Sequence, residues 1–420
     1  MSEFNYQNNQ LHLENCNLSD IAKQVGTPVY VYSKKQILDN FNAYKESFDQ
    51  YLSDTSYTIC YACKANSNLH VLKIMADAGA GADIVSGGEL TRVLRAGIPA
   101  NKVVYSGVGK SRAELEQALK AGIFQINVES KEELSDLSNI ASEIGINASV
   151  ALRVNPDVDA KTHEKITTGK KENKFGIEFD NAYDTYQHAV SLPAITPVGL
   201  TMHIGSQLTD LAPFKNAFLR MAELVTDLRD AGCTVDHIDL GGGIGVIYED
   251  SDKPVSIAEY TKLVQEIIAP LGCHIIIEPG RSITGNAGAL LTDVMYVKKG
   301  NSRQFAILNA AMNDLARPAL YDAYHPIWPC HKSEQGNLEK YDIVGPVCET
   351  GDRFSLNEDM QPLKSGDLLA LMVSGAYGSV MSSTYNTRPL VPEVLVDGNE
   401  WKIIRRKWDV EDMLALENFD

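Results

Sequence analysis

The feature that most restricts what this chain can fold into is an eightfold alternation beginning near residue 56: a short apolar run, a cluster of small or polar residues, then an amphipathic stretch at helical spacing. The runs are YTICYACK, GADIVS, VVYSG, FQINV, VALRVN, GLTMHIGS, HIDLGGG and HIIIEPG, the last ending at Gly280. Seven helical candidates separate them, among them 69–78, 87–96, 112–120, 131–144 and 214–229. Eight strands with intervening helices describe a (β/α)8 TIM barrel, an α/β fold.

The barrel accounts for residues 36–281 of a 420-residue chain. After Arg281 the pattern changes to β-rich segments without regular helices between them: LLTDVMYVKK, QFAILNAAM, YDIVGPVCET, DLLALMVSGAYG and EVLVDGNEWKII. Residues 282–420 are therefore expected to form a mostly β C-terminal domain. TPVYVYS, inside an N-terminal segment of residues 1–35, has no slot in the barrel and is expected to pair into that domain's sheet, while residues 1–10 look frayed. The fifth barrel connection, 155–180, is long and rich in Lys, Gly and Thr, which suits either a lid or an ordered excursion.

Charge and composition remove several classes of function. Against 38 basic residues stand 55 acidic ones, a formal charge of -17, so the mean surface field repels nucleic acid and anionic membrane. Any phosphate must be held by local groups. The start of the chain has no basic stretch leading into an apolar run, and no segment reaches the roughly 18 apolar residues of a membrane helix, so a cytoplasmic protein is expected. Seven scattered cysteines read as free thiols. Cys60 and Cys63 form a C-x-x-C without a second ligand pair, and strand periodicity would send them to opposite faces, so no metal site is expected.

The unusual polar residues are not scattered. Lys64, Asp83, Ser86, Arg153, His203, Gly243 and Glu278 all fall at or just beyond the C-terminal end of an apolar run, the face on which such barrels carry their active sites. A lysine ending a strand (YACKAN) is ordinarily a surface residue with a buried stem. In this company it suits an amine kept for imine formation, because burial lowers a lysine's pKa. HIDLGGGIG and EPGR place Gly241, Gly242, Gly243 and Gly280 after the seventh and eighth runs, the usual phosphate position in barrels. The first of these turns is not a dinucleotide fingerprint, because Val246 stands where a third glycine would be needed. A lysine with a phosphate cradle suggests pyridoxal 5'-phosphate. Glu278 adds a carboxylate to keep the pyridine nitrogen protonated, His203 could lie flat on the ring, and Ser206 could bond the phosphate.

Taken together, YACKAN, MHIGSQ, LGGGIG, EPGR, ARPALYDAYH, CETGD and SGAYG resemble the alanine-racemase-like, fold-type III decarboxylases, and among these the diaminopimelate decarboxylases. The resemblance runs in order over essentially the whole chain, and ARPALYDAYH separates it from the ornithine pattern. It implies that Lys64 is the Schiff-base lysine and that Asp83, Arg153, His203, Ser206, Gly243, Glu278, Gly280, Arg281 and Tyr377 bind the cofactor. It implies further that Arg281, Arg317 and Tyr321 hold the substrate's distal carboxylate, that Tyr377 also binds the substrate, that Glu349 takes the distal ammonium, and that Cys348 donates a proton from the second subunit of a homodimer with shared sites. Arginine's planar fork suits a carboxylate, whereas ornithine would leave two arginines facing a cation. The implied reaction is loss of carbon dioxide from meso-diaminopimelate to give L-lysine. Carboxynorspermidine decarboxylation and an inactive cofactor-binding relative are the alternatives. One departure is Thr350 where the family usually has serine, which keeps the hydroxyl.

Overall fold

The computed structural model describes residues 3–158, 174–249, 251–333 and 337–418. The chain divides into two compact units, one comprising Asn40–Val246 with Lys253–Ser282, the other Met1–Asp39, Ile247–Asp252 and Ile283–Asp420. Among the described residues no helix is long and apolar enough to cross a membrane.

The first unit is a closed parallel barrel. Its strands in chain order are Tyr57–Ala62, Gly81–Ile84, Val103–Tyr105, Gln125–Val128, Ala148–Asn155, Ile195–Thr201, His237–Asp239 and His274–Ile277. Each pairs with the next, and the eighth closes on the first through Ile275 opposite Tyr57. The helices between them, including Leu69–Asp77, Gly87–Ala96, Arg112–Ala121, Lys131–Ile144 and Leu211–Asp230, lie within a few residues of their sequence expectations. Four of the barrel helices start at a Ser-x-x-Glu. The side chains of Ser86, Ser111, Ser130 and Ser256 each accept the backbone N–H three residues on, satisfying a donor that helix geometry leaves unpaired.

Cys63 departs from the sequence expectation. The first strand stops at Ala62 and Cys63–Ala65 is a 3-10 turn, so alternation along a strand does not govern where the Cys63 thiol points. Both cysteines of the pair are buried and free. Residues 159–173, most of the long fifth connection read as a lid or an ordered excursion, lie outside the described residues.

The second unit is built on a nine-stranded sheet in which Val29–Ser33, the TPVYVYS segment, pairs antiparallel with Gly288–Lys299 and parallel with Glu393–Asp397. Period-two alternation explains its composition. Val29 and Val31 enter an apolar cluster with Leu13, Ile21, Leu291 and Val394, and burying each such side chain is worth about 1.5–3 kcal/mol. Tyr30 and Tyr32 instead hydrogen-bond the Asp314 carbonyl at 2.6 Å and Glu393 Oε2 at 2.7 Å.

The expectation of a frayed start fails. Phe4–Gln7 and Gln10–Leu13 form a hairpin whose Phe4, Leu11 and Leu13 are buried in that same cluster. Asn8 and Asn9 make the turn with φ of 49° and 65°, the left-handed pair that a two-residue hairpin demands and that asparagine tolerates. Strands Ile327–Pro329 and Arg353–Met360 were not anticipated either; the second is polar on most of its length.

Candidate active site

The barrel's C-terminal rim brings together the residues placed there by sequence. Lys64 stands in the turn after the first strand, and its Nζ donates to Asp83 Oδ2, at the end of the second strand, at 2.7 Å. Asp83 is fully buried, and its Oδ1 has no hydrogen-bond partner among the described residues. The pair thus fixes an amine at the rim beside a carboxylate oxygen that is still open.

Three glycines follow the seventh strand in a turn that any side chain would block. A Cβ on Gly242 would come within 2.3 Å of the Glu278 carbonyl, and one on Gly243 within 2.6 Å of the Gly205 carbonyl. Close backbone packing therefore requires glycine here before any ligand is considered. The Gly242 N–H donates to His203 Nδ1 at 3.4 Å, so that nitrogen is an acceptor and the imidazole is neutral. Burial, with Lys64 and Arg153 nearby, pushes the His203 pKa well below its ordinary value, which agrees with that tautomer. Gly280 packs under the Lys64 turn, where a Cβ would meet those of Ala62 and Ala65 at 3.0 and 3.1 Å. Next to it, Arg281 donates from Nε and from a terminal nitrogen to Ser206 Oγ at 3.3 and 3.0 Å, which joins the eighth-strand loop to the sixth.

Glu278 directly follows the eighth strand, buried, with Oε1 lacking a partner among the described residues. Burial raises its pKa well above the carboxylate range, and the neighbouring Asp239 and Asp83 carboxyls raise it further. Burial likewise pushes Asp239 up to about 6.

Two residues of this rim escaped the sequence reading. Asp239, the last residue of the seventh strand, takes the Gly241 N–H at 3.0 Å and an Asn127 amide N–H at 3.2 Å. Glu129 takes Arg153 at 2.7 Å, the Gly107 N–H at 2.8 Å and the Gly176 N–H at 3.0 Å. Arg153 is therefore held as a buried ion pair, its guanidinium 4.9 Å from the Phe175 ring centre. The signal for both was present: each acid sits at a strand's C-terminal end, where the rim rule already collected seven others.

The remaining candidates lie in the second unit. Arg317 opens the helix Arg317–Tyr321 and is buried, donating to the Tyr248 hydroxyl at 2.9 Å and to His325 Nε2 at 3.0 Å. His325 Nδ1 in turn donates to the Met372 carbonyl at 2.9 Å, so the imidazole is locked with its acceptor nitrogen toward the guanidinium. Tyr321 and Tyr377 are half-buried, the latter with a φ of 54°. Cys348 and Glu349 are exposed, and Glu349 accepts the Tyr385 hydroxyl.

The rim suits a phosphorylated aldehyde cofactor with a basic ring nitrogen. It offers an amine at the surface, a neutral imidazole, a glycine turn backed by Ser206 and Arg281, and a buried carboxyl whose free oxygen is costly unless a nitrogen meets it.

Comparison with known proteins agrees with that chemistry. Residues 34–285 match the pyridoxal binding domain of the pyridoxal-dependent decarboxylases. The chain is 49% identical over 420 residues to the diaminopimelate decarboxylase of Vibrio cholerae, which covers 100% of this chain and 99% of that one. It is 48% identical over 419 residues to the diaminopimelate decarboxylase of Pseudomonas fluorescens, covering 100% and 99%. Among solved structures, diaminopimelate decarboxylase from Helicobacter pylori complexed with L-lysine superposes with a TM-score of 0.91 at 41% identity, covering 95% of this chain and 99% of the other. The enzyme from M. jannaschii in complex with L-lysine gives 0.95 at 33% identity, covering 99% and 98%.

Proposed function

This chain belongs to the diaminopimelate decarboxylase family of pyridoxal-dependent decarboxylases, and from that premise we propose how its own residues remove carbon dioxide from one end of meso-diaminopimelate to leave L-lysine. Pyridoxal 5'-phosphate, when bound, supplies an electron-accepting pyridinium ring for the charge left as a bond at the substrate's α-carbon breaks. The amine of Lys64 is the attachment point, and Asp83 aims it by holding it at 2.7 Å. His203, neutral, would lie against the ring face without adding a competing cation. Gly243, Gly280, Ser206, Arg281 and Tyr377 take the phosphate. Arg153, clamped by Glu129, keeps a fixed positive charge near this group. Glu278 faces the ring nitrogen.

To the second unit we assign the substrate's distal head group. Arg317, pinned by Tyr248 and His325, presents a preorganised fork to the distal carboxylate, with Arg281 and Tyr321 assisting. Glu349 meets the distal ammonium, so only a substrate carrying both charges satisfies both groups. Cys348 gives the proton that replaces carbon dioxide on the α-carbon, acting in the site of a partner subunit in a cytoplasmic homodimer.

The observation that carries this assignment is the Lys64–Asp83 pair on a barrel rim that also buries Glu278 with one oxygen unpartnered. Purified protein given pyridoxal phosphate is expected to gain a visible absorption band and to convert meso-diaminopimelate to lysine with release of carbon dioxide. A Lys64→Ala protein that still gains the band removes the attachment role. Mixing inactive Lys64→Ala and Cys348→Ala proteins is expected to restore part of the activity; no restoration removes the shared site.

A further inference from the structure

The interior of the barrel is not filled with aliphatic side chains alone. Alternate residues of the fourth and seventh strands point inward, and they are Gln125, Asn127, His237 and Asp239. His237 Nδ1 lies 2.9 Å from Gln125 Oε1, Gln125 Nε2 donates to Asn127 Oδ1 at 2.8 Å, and Asn127 Nδ2 donates to Asp239 Oδ2 at 3.2 Å. Every donor in this column points the same way. It begins at the half-buried His237, at the strands' N-terminal ends, and terminates on a carboxylate at the rim. Gln125, Asn127 and Asp239 are fully buried, so none of these groups has bulk water as an alternative partner.

The far end of the column decides the state of its neighbour. Asp239 Oδ1 accepts the Gly241 N–H and Oδ2 accepts Asn127, so both oxygens serve N–H donors, which favours the ionised carboxyl. Glu278 is nevertheless a buried neighbour of Asp239, and burial together with the Asp239 charge opposes its ionisation, so the two carboxyls are expected to hold one proton between them. The other charged or titratable groups that bear on the pair are Asp83 on the second strand, Lys64 in the turn after the first, Cys60 within the first and Tyr260 on the helix Ile257–Ile267.

We propose that the one-way column from His237 through Gln125 and Asn127 keeps Asp239 ionised and thereby places the pair's single proton on Glu278, making Asp239 a positioning residue that acts through Glu278. The consequence for the site rests on the assignment of Glu278 to the ring nitrogen. Glu278 then supplies the proton that an arriving basic nitrogen requires; the O–H bond breaks, an N–H bond forms, and Glu278 is left as the carboxylate counter-ion. No proton has to be drawn from solvent. Directed hydrogen bonds of this kind polarise one another in a low-dielectric interior, which favours charge at the accepting end.

The test is infrared difference spectroscopy of the full chain at pH 7, recorded as pyridoxal phosphate is added, with carboxyl carbons carrying 13C in either glutamate or aspartate. The expected result is loss of a protonated-carboxyl band that shifts with labelled glutamate and not with labelled aspartate. A band that shifts with labelled aspartate overturns the proposal, as does the absence of any protonated band that Glu278→Gln removes from the cofactor-free protein. A glutamate band that Glu278→Gln removes but that cofactor addition leaves unchanged supports the column and overturns the placement of Glu278 at the ring nitrogen. Asp239→Asn removes the neighbouring charge that adds to burial in holding the proton on Glu278, so over the pH range in which the variant's Glu278 is ionised and the wild type's is not, cofactor binding takes up one more proton than in the wild type. The ratio of the two cofactor dissociation constants then changes by about tenfold per pH unit, in the direction of weaker binding by the variant as pH rises. A pH-independent ratio overturns the role of Asp239, and the labelled wild-type spectra decide the matter if this variant does not fold.

Discussion

Glu129→Gln replaces a buried anion by its neutral isostere at a point where three donors converge. Oε1 serves Arg153 at 2.7 Å and the Gly107 N–H at 2.8 Å, and Oε2 serves the Gly176 N–H at 3.0 Å. An amide has one oxygen. If that oxygen keeps Arg153 and Gly107, the new NH2 group faces the Gly176 N–H, and a buried donor without an acceptor costs about 1–3 kcal/mol. The guanidinium also loses its counter-charge in a nearly buried setting, where side-chain exposures are 10% and 2%. Deleting one partner of a buried pair costs about 3–5 kcal/mol, but the amide retains the hydrogen bond, so only part of that penalty applies. The sum is about 3 kcal/mol, a little over a hundredfold in the folding equilibrium at about 1.4 kcal/mol per decade. Urea unfolding of the two proteins at pH 7, followed by far-ultraviolet circular dichroism and compared at equal denaturant slope, reads this directly. A loss below about 1 kcal/mol refutes the reasoning, because neither the charge nor the third donor would then be contributing.

Gly242→Ala drives a Cβ to 2.3 Å from the Glu278 carbonyl and is expected to abolish cofactor binding in equilibrium dialysis, whereas Gly88→Ala, with its nearest atom at 3.7 Å on a helix, is expected to stabilise by about 0.5–1 kcal/mol in urea unfolding. His274 is held down to about 4 from its usual 6.5 by burial and by His237. A base with a depressed folded pKa contributes stability above its unfolded pKa and loses it as pH falls, so unfolding free energy should drop between about pH 6.5 and 4, and His274→Gln should flatten that part of the profile. Tyr248→Phe removes one of the groups pinning Arg317 at 2.9 Å and should raise KM for meso-diaminopimelate about fivefold, with kcat less affected, in a steady-state assay; an unchanged KM removes the positioning role.

The barrel was legible because its signal repeats: eight apolar runs and their helices each constrain the same closure, and the rim rule converted strand ends into a site before any contact was known. The N-terminal hairpin was not, because its strands, FNYQ and QLHL, carry too few apolar residues to announce a core. Its burial depends on the sheet that Val29–Ser33, Gly288–Lys299 and Glu393–Asp397 assemble from three distant parts of the chain. Cys63 misled for a related reason, since periodicity says nothing about where a strand stops. Lys64, His203 and Glu278 stood out because each is a polar residue closing an apolar run; Glu129 and Asp239 do the same in FQINVE and HIDL, and the inward-facing Gln125 and Asn127 beside them passed unremarked within an apolar run.

In an isolated strand, Gln125 and Asn127 at period two mark the face turned to water, and only closure of the sheet turns that face inward. Once inside, an amide is costly unless both its donor and its acceptor are met, so each inward polar residue obliges the next: His237 satisfies Gln125, Gln125 satisfies Asn127, and Asn127 satisfies Asp239. A barrel filled by aliphatic layers could lose one residue and relax around a cavity. Here the loss of one amide strands the partners on either side, and the strain ends at Asp239, the neighbour of Glu278. The polar interior therefore ties the folding of the barrel to the protonation of the carboxyl at its rim, which an apolar core of the same shape could not do.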